Sequence, residues 1–141
     1  MNSGERQHDW SELLLREAAA KSEIMEAAGG LLSSSEAAAL LEISVPDVKQ
    51  RVRRRTVLAV PLPDGQWGFP ARQFDREGRV REGVPAVAAA GARLDPWVLL
   101  SILVDAAEDD RGGLALERLD NAAVRDDILS RLASYGEHVA A

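Results

Sequence analysis

The sequence contains no cysteine. That absence excludes disulfides, thiolate zinc sites and cysteine nucleophiles together, and it points to a reducing, cytoplasmic setting. Histidine occurs only as His8 and His138, near opposite ends and without ligand partners at metal spacing. No nucleophile–base pair stands out, and Gly112-Gly113 has neither the lysine nor the strand–turn–helix context of a phosphate loop. An enzyme is therefore not expected, nor a bound metal or cofactor. Long apolar runs are missing as well. The best candidate, Val98 to Val104, is interrupted by Ser101 and falls far short of the roughly 18 residues that a membrane span needs. The polar start from Asn2 to Arg6 leads into no apolar secretory core.

Apolar residues make up 46% of the 141, enough to form one ordinary domain or two very small ones that share a core. The net charge of −6 argues by itself against a nucleic-acid partner, but its distribution argues back. From Val45 to Arg81, nine Lys/Arg stand against four Asp/Glu, a local charge of +5 that leaves −11 for the rest. A basic centre between acidic flanks implies faces that meet different partners.

Residues 9–28 read as an amphipathic helix, with Trp10, Leu13, Leu14, Ala18, Ile24, Met25 and Ala28 near helical spacing. Gly29-Gly30 ends it. This helix either packs on the core or serves as a dimerisation helix.

Two short helices follow in close succession. Ser33 caps the first and Glu36 completes a capping box; Ser44 caps the second, with Asp47 in the same acidic position and Pro46 in the first turn. Val45, Val48 and Val52 face one way, and Asp47, Lys49, Gln50, Arg53 and Arg54 face away. The link is only Glu42-Ile43-Ser44, so the helices must cross steeply, which is helix-turn-helix geometry, and small Ala37 and Ala38 allow close approach. Next come β-prone residues 57–60, an Asp64-Gly65 turn and residues 66–69, which predict a hairpin limited by Pro61 and Pro63 to an edge-like ribbon. A hairpin directly after a recognition helix is a wing.

Beyond Asp75 the chain is rich in Gly, Arg, Ala and Pro, with one or two helical turns at Val84 to Ala90, and residues 77–94 read as a linker. Asp95 and Pro96 open another helix with Trp97, Leu100, Leu103 and Val104 on one face. Residues 109–113 break it. A short helix near 115–119 and a last helix over 122–134 follow, closed by Tyr135-Gly136 ahead of a soft tail. The expected fold is mainly α, a small winged helix-turn-helix with one β-hairpin plus a C-terminal helical module. Its parts are an N-terminal helix (1–30), the DNA-binding domain (31–76), the linker (77–94) and the module (95–141).

The segment from Leu31 to Phe74 resembles the excisionase/MerR-like winged helix-turn-helix family. The matching residues run from Leu32-Ser33-Ser34-Ser35-Glu36-Ala37-Ala38 to Leu41, then Ile43-Ser44, the basic helix to Arg55, Ala59-Val60 and Gln66-Trp67-Gly68-Phe69-Pro70. Glu42 and Arg55 stand where that family has glycine. The segment from Asp95 to Glu137 resembles the toxin-binding domain of antitoxins from RES–Xre type systems, the MbcA/ParS-like group. Asp95-Pro96-Trp97, Leu103, Gly112-Gly113, Leu116, Leu119, Val124 and Tyr135-Gly136-Glu137 carry the likeness, with Ala115 where the family has proline.

DNA affinity comes mostly from phosphate neutralisation, while base edges are read from the first half of the recognition helix. Lys49 and Gln50 are accordingly the base-reading candidates, Arg53, Arg54 and Arg55 the phosphate contacts, and Asp47 a cap; Ser44 lies at the same helix start. The arginine run could also be no more than a solvated face. Trp67, Phe69 and Trp97 read as core residues. The second resemblance implies a RES-domain, NAD-consuming toxin as partner, with Trp97, Tyr135, Glu137 and His138 as candidate contacts; Tyr135 could equally pack on its own helix. The expected function is thus an antitoxin that binds operator DNA as an autorepressor and acts as a homodimer or higher oligomer. The alternatives are a stand-alone regulator and a protein-binding module whose helix-turn-helix no longer binds DNA.

Overall fold

The computed structural model describes the backbone of residues 2–105 and 113–140, and the side chains of residues 12–105 and 113–135. The fold is mainly helical with a small antiparallel sheet. Its elements are α1 (Asn2–Ala27), β1 (Leu31–Leu32), α2 (Ser34–Leu41), α3 (Val45–Arg54), β2 (Val60–Pro61), β3 (Trp67–Pro70), α4 (Val84–Ala90), α5 (Pro96–Val104) and α6 (Ala122–Ala140). Short 3₁₀ turns occupy Ala71–Gln73 and Ala115–Arg118.

The wing is built as the turn chemistry requires. Leu62 and Gly65 close a turn with Pro63 at its second position, and Gly65 takes φ +82°, the left-handed conformation that glycine adopts without steric cost. β2 and β3 pair in the register Val60↔Gly68 and Pro61↔Trp67. The expected single hairpin is in fact a three-stranded sheet of order β1-β3-β2, because Leu31 and Leu32 pair with Pro70 and Phe69 on the other side of β3. Two residues are too short a run to show a period-two pattern. Pro61 is tolerated because β2 is an edge strand, and α5 covers that edge: the Trp97 indole Nε1 donates to the Pro61 carbonyl at 3.1 Å.

Two apolar clusters hold the chain together. The smaller joins α2, α3 and the sheet through Ala37, Ala38, Val48, Val57, Phe69 and Phe74. The larger draws on every other part of the chain: Ala28 from the end of the first helical segment, Leu58 and Val60 from the wing, Val84, Val87 and Ala88 from α4, and Leu100, Leu103, Leu116 and Ile128 from the C-terminal helices. Residues 77–94 are therefore not a linker. Val84 and Val87 are wholly buried, and Gly83 lies so close to the end of the 3₁₀ turn before α6 that an added Cβ would collide with the Leu119 carbonyl oxygen. The sequence reading failed there because a seven-residue helix rich in alanine shows little amphipathic contrast. The C-terminal module is correspondingly fused to the wing rather than separately packed.

The two ends also depart from expectation. α1 starts at Asn2 instead of near residue 9, and among its described side chains Ile24, Met25 and Ala27 reach the core, with Ala28 just past its end. Residues 12–23 are all exposed, with Leu13 at 48%, Leu14 at 59% and Leu15 at 70%. The core-packing role thus holds for one end of this helix only. α6 continues through Gly136 to Ala140, so the backbone of the expected soft tail is helical. No described helix is long and apolar enough to cross a membrane.

Candidate nucleic-acid interface

α2 and α3 are set by their caps. The Ser33 hydroxyl accepts from the Glu36 N–H at 3.1 Å, and the Glu36 carboxylate accepts from the Ser33 N–H at 3.0 Å, a complete capping box. The Ser33 N–H first, and the Ser33 side chain second, hold the Glu36 carboxyl below its ordinary range. α3 has only half of that device. The Ser44 hydroxyl accepts from the Asp47 N–H at 3.2 Å, and the Asp47 carboxylate returns no bond to Ser44.

Both helices end in the same way. Glu42 (φ 58°, ψ 42°) and Arg55 (φ 58°, ψ 44°) take the left-handed conformation that the family resemblance associates with glycine. Around Glu42, the Ile43 N–H reaches the Ala38 carbonyl at 3.0 Å; around Arg55, the Thr56 N–H reaches the Arg51 carbonyl at 3.0 Å. These are Schellman closures, and they satisfy the terminal carbonyls at a cost of about 1 kcal/mol in side-chain sterics per residue. The turn is therefore kept without its glycines. The next apolar residue, Ile43 or Val57, enters the small core after each closure.

Val48 is fully buried and Val45 and Val52 half-buried, which leaves the other side of α3 outward. Lys49, Gln50, Arg53, Arg54 and Arg55 are exposed, as are Ser44 and Asp47, while Arg51 is half-exposed. The sequence-predicted DNA contacts are thus all open to solvent. Among the described residues, none of these cations makes an ion pair. Of the rest of the basic centre, Arg76 is exposed without an ion pair among the described residues, and three arginines are paired. Arg72 pairs with Glu117, Arg81 with Asp120 at 3.2 Å, and Arg79 loosely with Glu77 at 3.6 Å. Asp120 also accepts from the Glu82 N–H at 2.8 Å, and the Arg81 Nε donates to the Arg72 carbonyl at 2.7 Å. Arg72 and Arg81 thereby join the two halves of the molecule. The wing tip offers Asp64 and Gln66 and no cation, so the unpaired cations of the basic centre, Arg76 apart, are those of α3 and its cap.

The second predicted site is not assembled as expected. Trp97 is 9% exposed, its ring packed in the large core beneath the Lys21 ammonium at 5.2 Å, so it does not present a surface to a partner. Tyr135 is 42% exposed on α6. The side chains of Glu137 and His138 lie outside the described residues, as does the loop at 106–112. Gln73 went unnoticed in the sequence. It is completely buried, and its amide pairs with both backbone groups of Leu58. A glutamine after a short strand carries no local signal of that role.

Taken together, the capped α2–α3 pair and the sheet packed on it define a small winged helix-turn-helix fold. Among solved structures, the NMR structure of Rv2175c is similar, at a TM-score of 0.56 and 18% identity, with 74% of this chain and 80% of that chain covered. No family model matches the chain, and no curated protein matches it significantly.

Proposed function

We propose that this chain is a DNA-binding regulator that docks α3 in the major groove of duplex DNA. One observation carries the reading: the outward surface of α3 holds Lys49, Gln50, Arg53, Arg54 and Arg55 without internal ion pairs, whereas Arg72, Arg79 and Arg81 are paired within the chain. A merely solvated arginine run has no reason to follow a capped helix at the position of a recognition helix. One small recognition helix makes few base contacts, so specific binding calls for two half-sites and hence a dimer. The exposed leucines of α1 offer apolar surface for it. The test is a binding titration of the full chain against its own promoter and against random duplex, over a range of salt. Binding should weaken as salt rises, with a log–log slope of about −0.9 per phosphate neutralised. Absence of binding to either duplex in low salt sinks the proposal.

A second reading adds a protein partner, a RES-domain toxin that the chain would hold inactive as an antitoxin. Exposed Tyr135 on α6 favours it, as an aromatic anchor outside the basic centre. The acidic field expected of the C-terminal region is smaller than its composition implies, because Glu117 and Asp120 pair with Arg72 and Arg81 from outside it. Co-expression with the product of a neighbouring gene, scored by growth and cellular NAD, tests it. A Tyr135→Ala variant that protects as well as wild type would remove the support for this anchor.

A further inference from the structure

α3 carries more than a basic face. With 100° per residue, Asp47, Gln50 and Arg54 fall on one ridge, on the side away from buried Val48 and half-buried Val45 and Val52. Lys49 and Arg53 lie along one flank of that ridge. Arg51 lies along the other, and Arg55 follows it at the left-handed cap. A surface with a mixed central line and a cationic strip on each side matches a major groove, in which base edges lie between two phosphate strands.

Asp47 is the informative member. Its backbone N–H is capped by Ser44, but its carboxylate makes no hydrogen bond or ion pair among the described residues, whereas Glu36 in the matching position of α2 closes its box. Arg51, one turn on, does not pair with it either. An unengaged carboxylate on the line that faces the duplex meets repulsion from phosphates unless it accepts a hydrogen bond, and the major-groove donor that suits a carboxylate is the cytosine N4 amino group. Arg54 stands seven residues further along, about 10 Å at 1.5 Å per residue, or roughly three base-pair steps of 3.4 Å.

We propose that Asp47, Gln50 and Arg54 are the specificity-determining residues of this surface. Asp47 reads a cytosine, Gln50 an adenine and Arg54 a guanine about three base pairs from that cytosine, while Lys49 and Arg53 on one side and Arg51 and Arg55 on the other hold the two phosphate strands. This assignment rests on the DNA-binding reading above. It moves Arg54 from phosphate to base contact, Lys49 from base to phosphate contact and Asp47 from cap to reader.

The experiment is selection of bound duplexes from a random library by the full chain and by D47A, R54A and R53A, with unfolding midpoints measured in parallel. Wild type should enrich a motif that holds a cytosine and a guanine about three positions apart. D47A should lose the cytosine preference by between about five- and a hundred-fold, keep the guanine preference, and bind random duplex more tightly than wild type. R54A should lose the guanine preference alone. R53A should weaken binding on every sequence and leave the motif intact. If D47A lowers stability and leaves every base preference unchanged, Asp47 is only a favourable charge at a helix N-terminus and the assignment fails. Uniform weakening by R54A, like that of R53A, overturns its half. A wild type that binds duplex without enriching any motif refutes the assignment alone, and a wild type that binds no duplex refutes the underlying reading too.

Discussion

The Gln73 side chain and the Leu58 backbone exchange two hydrogen bonds. The Leu58 N–H donates to Gln73 Oε1 and Gln73 Nε2 donates to the Leu58 carbonyl, each at 2.8 Å. The amide thereby acts as one residue of an extra strand beside Leu58, in a fully buried place where no water substitutes for it. Gln73→Ala leaves a donor and an acceptor of Leu58 unpaired at once. It should cost about 2–4 kcal/mol in urea unfolding. Gln73→Glu sets a buried carboxylate against the Leu58 carbonyl, and at neutral pH it should cost at least as much as Gln73→Ala. A loss below about 1 kcal/mol for Gln73→Ala would mean that the site relaxes to admit water.

Glu42 and Arg55 separate stability from binding. Glycine fits their left-handed backbone without the Cβ clash, so Glu42→Gly should raise the unfolding free energy by about 0.5–1 kcal/mol and leave DNA affinity nearly unchanged. Arg55→Gly should stabilise similarly but weaken DNA binding and flatten its salt slope by about one unit. Equal DNA affinity for Arg55→Gly and wild type would remove Arg55 from the interface.

Because the large core combines residues of the wing, α4 and the C-terminal helices, the chain should unfold in one transition. Trp67 reports on the wing and Trp97 on α5. Within each single-tryptophan variant, fluorescence and helical circular dichroism should give coincident denaturant midpoints. Two separated midpoints would show that the halves fold independently in spite of their shared core.

Two carboxyls link stability to acid. The Glu36 carboxyl is lowered by its bonds to Ser33; the Asp75 carboxyl is lowered first by the Arg79 N–H and further by the Glu77 N–H and the charges of Arg79 and Arg81. A folded-state pKa below the unfolded one stabilises the protein above the unfolded value. That contribution is lost as pH falls through the lowered folded value. Stability should therefore drop below the ordinary values of 4.5 and 3.8, and the double variant Glu36→Gln/Asp75→Asn should be less stable at neutral pH and flatter across that acid window. Parallel acid curves for the variant and wild type would place the acid response in other groups.

The exposed stretch of α1 gives a prediction of the opposite kind. Residues 12–23 bury nothing in the core, so Leu13→Ser/Leu14→Ser should change the unfolding midpoint by less than about 0.5 kcal/mol, as surface substitutions do. If this helix joins two copies, the same pair should shift the molar mass by light scattering from dimer to monomer. A wild type that is monomeric both alone and on DNA ends the dimer proposal.

The local chemistry of residues 33–70 was legible without coordinates. Ser33 with Glu36, Ser44 with Pro46, and Asp64-Gly65 each act within a few residues, so spacing alone locates the α2–α3 pair and the wing. The outward surface of α3 followed equally, because Val45, Val48 and Val52 define its opposite side by helical period. Three other matters were decided by contacts between distant segments. Leu31-Leu32 became a strand only because β3 has an open edge beside it. Residues 84–90 left the status of a linker because Leu119 and α6 close over Gly83 and α4. Arg72 and Arg81, counted with the DNA-facing charge in the sequence, were drawn away by Glu117 and Asp120, 45 and 39 residues along the chain. Helical period and turn chemistry are short-range and are written in neighbouring residues. Which cation finds an internal carboxylate, and which stays free for a phosphate, depends on how distant surfaces meet, and that is a property of the tertiary structure alone.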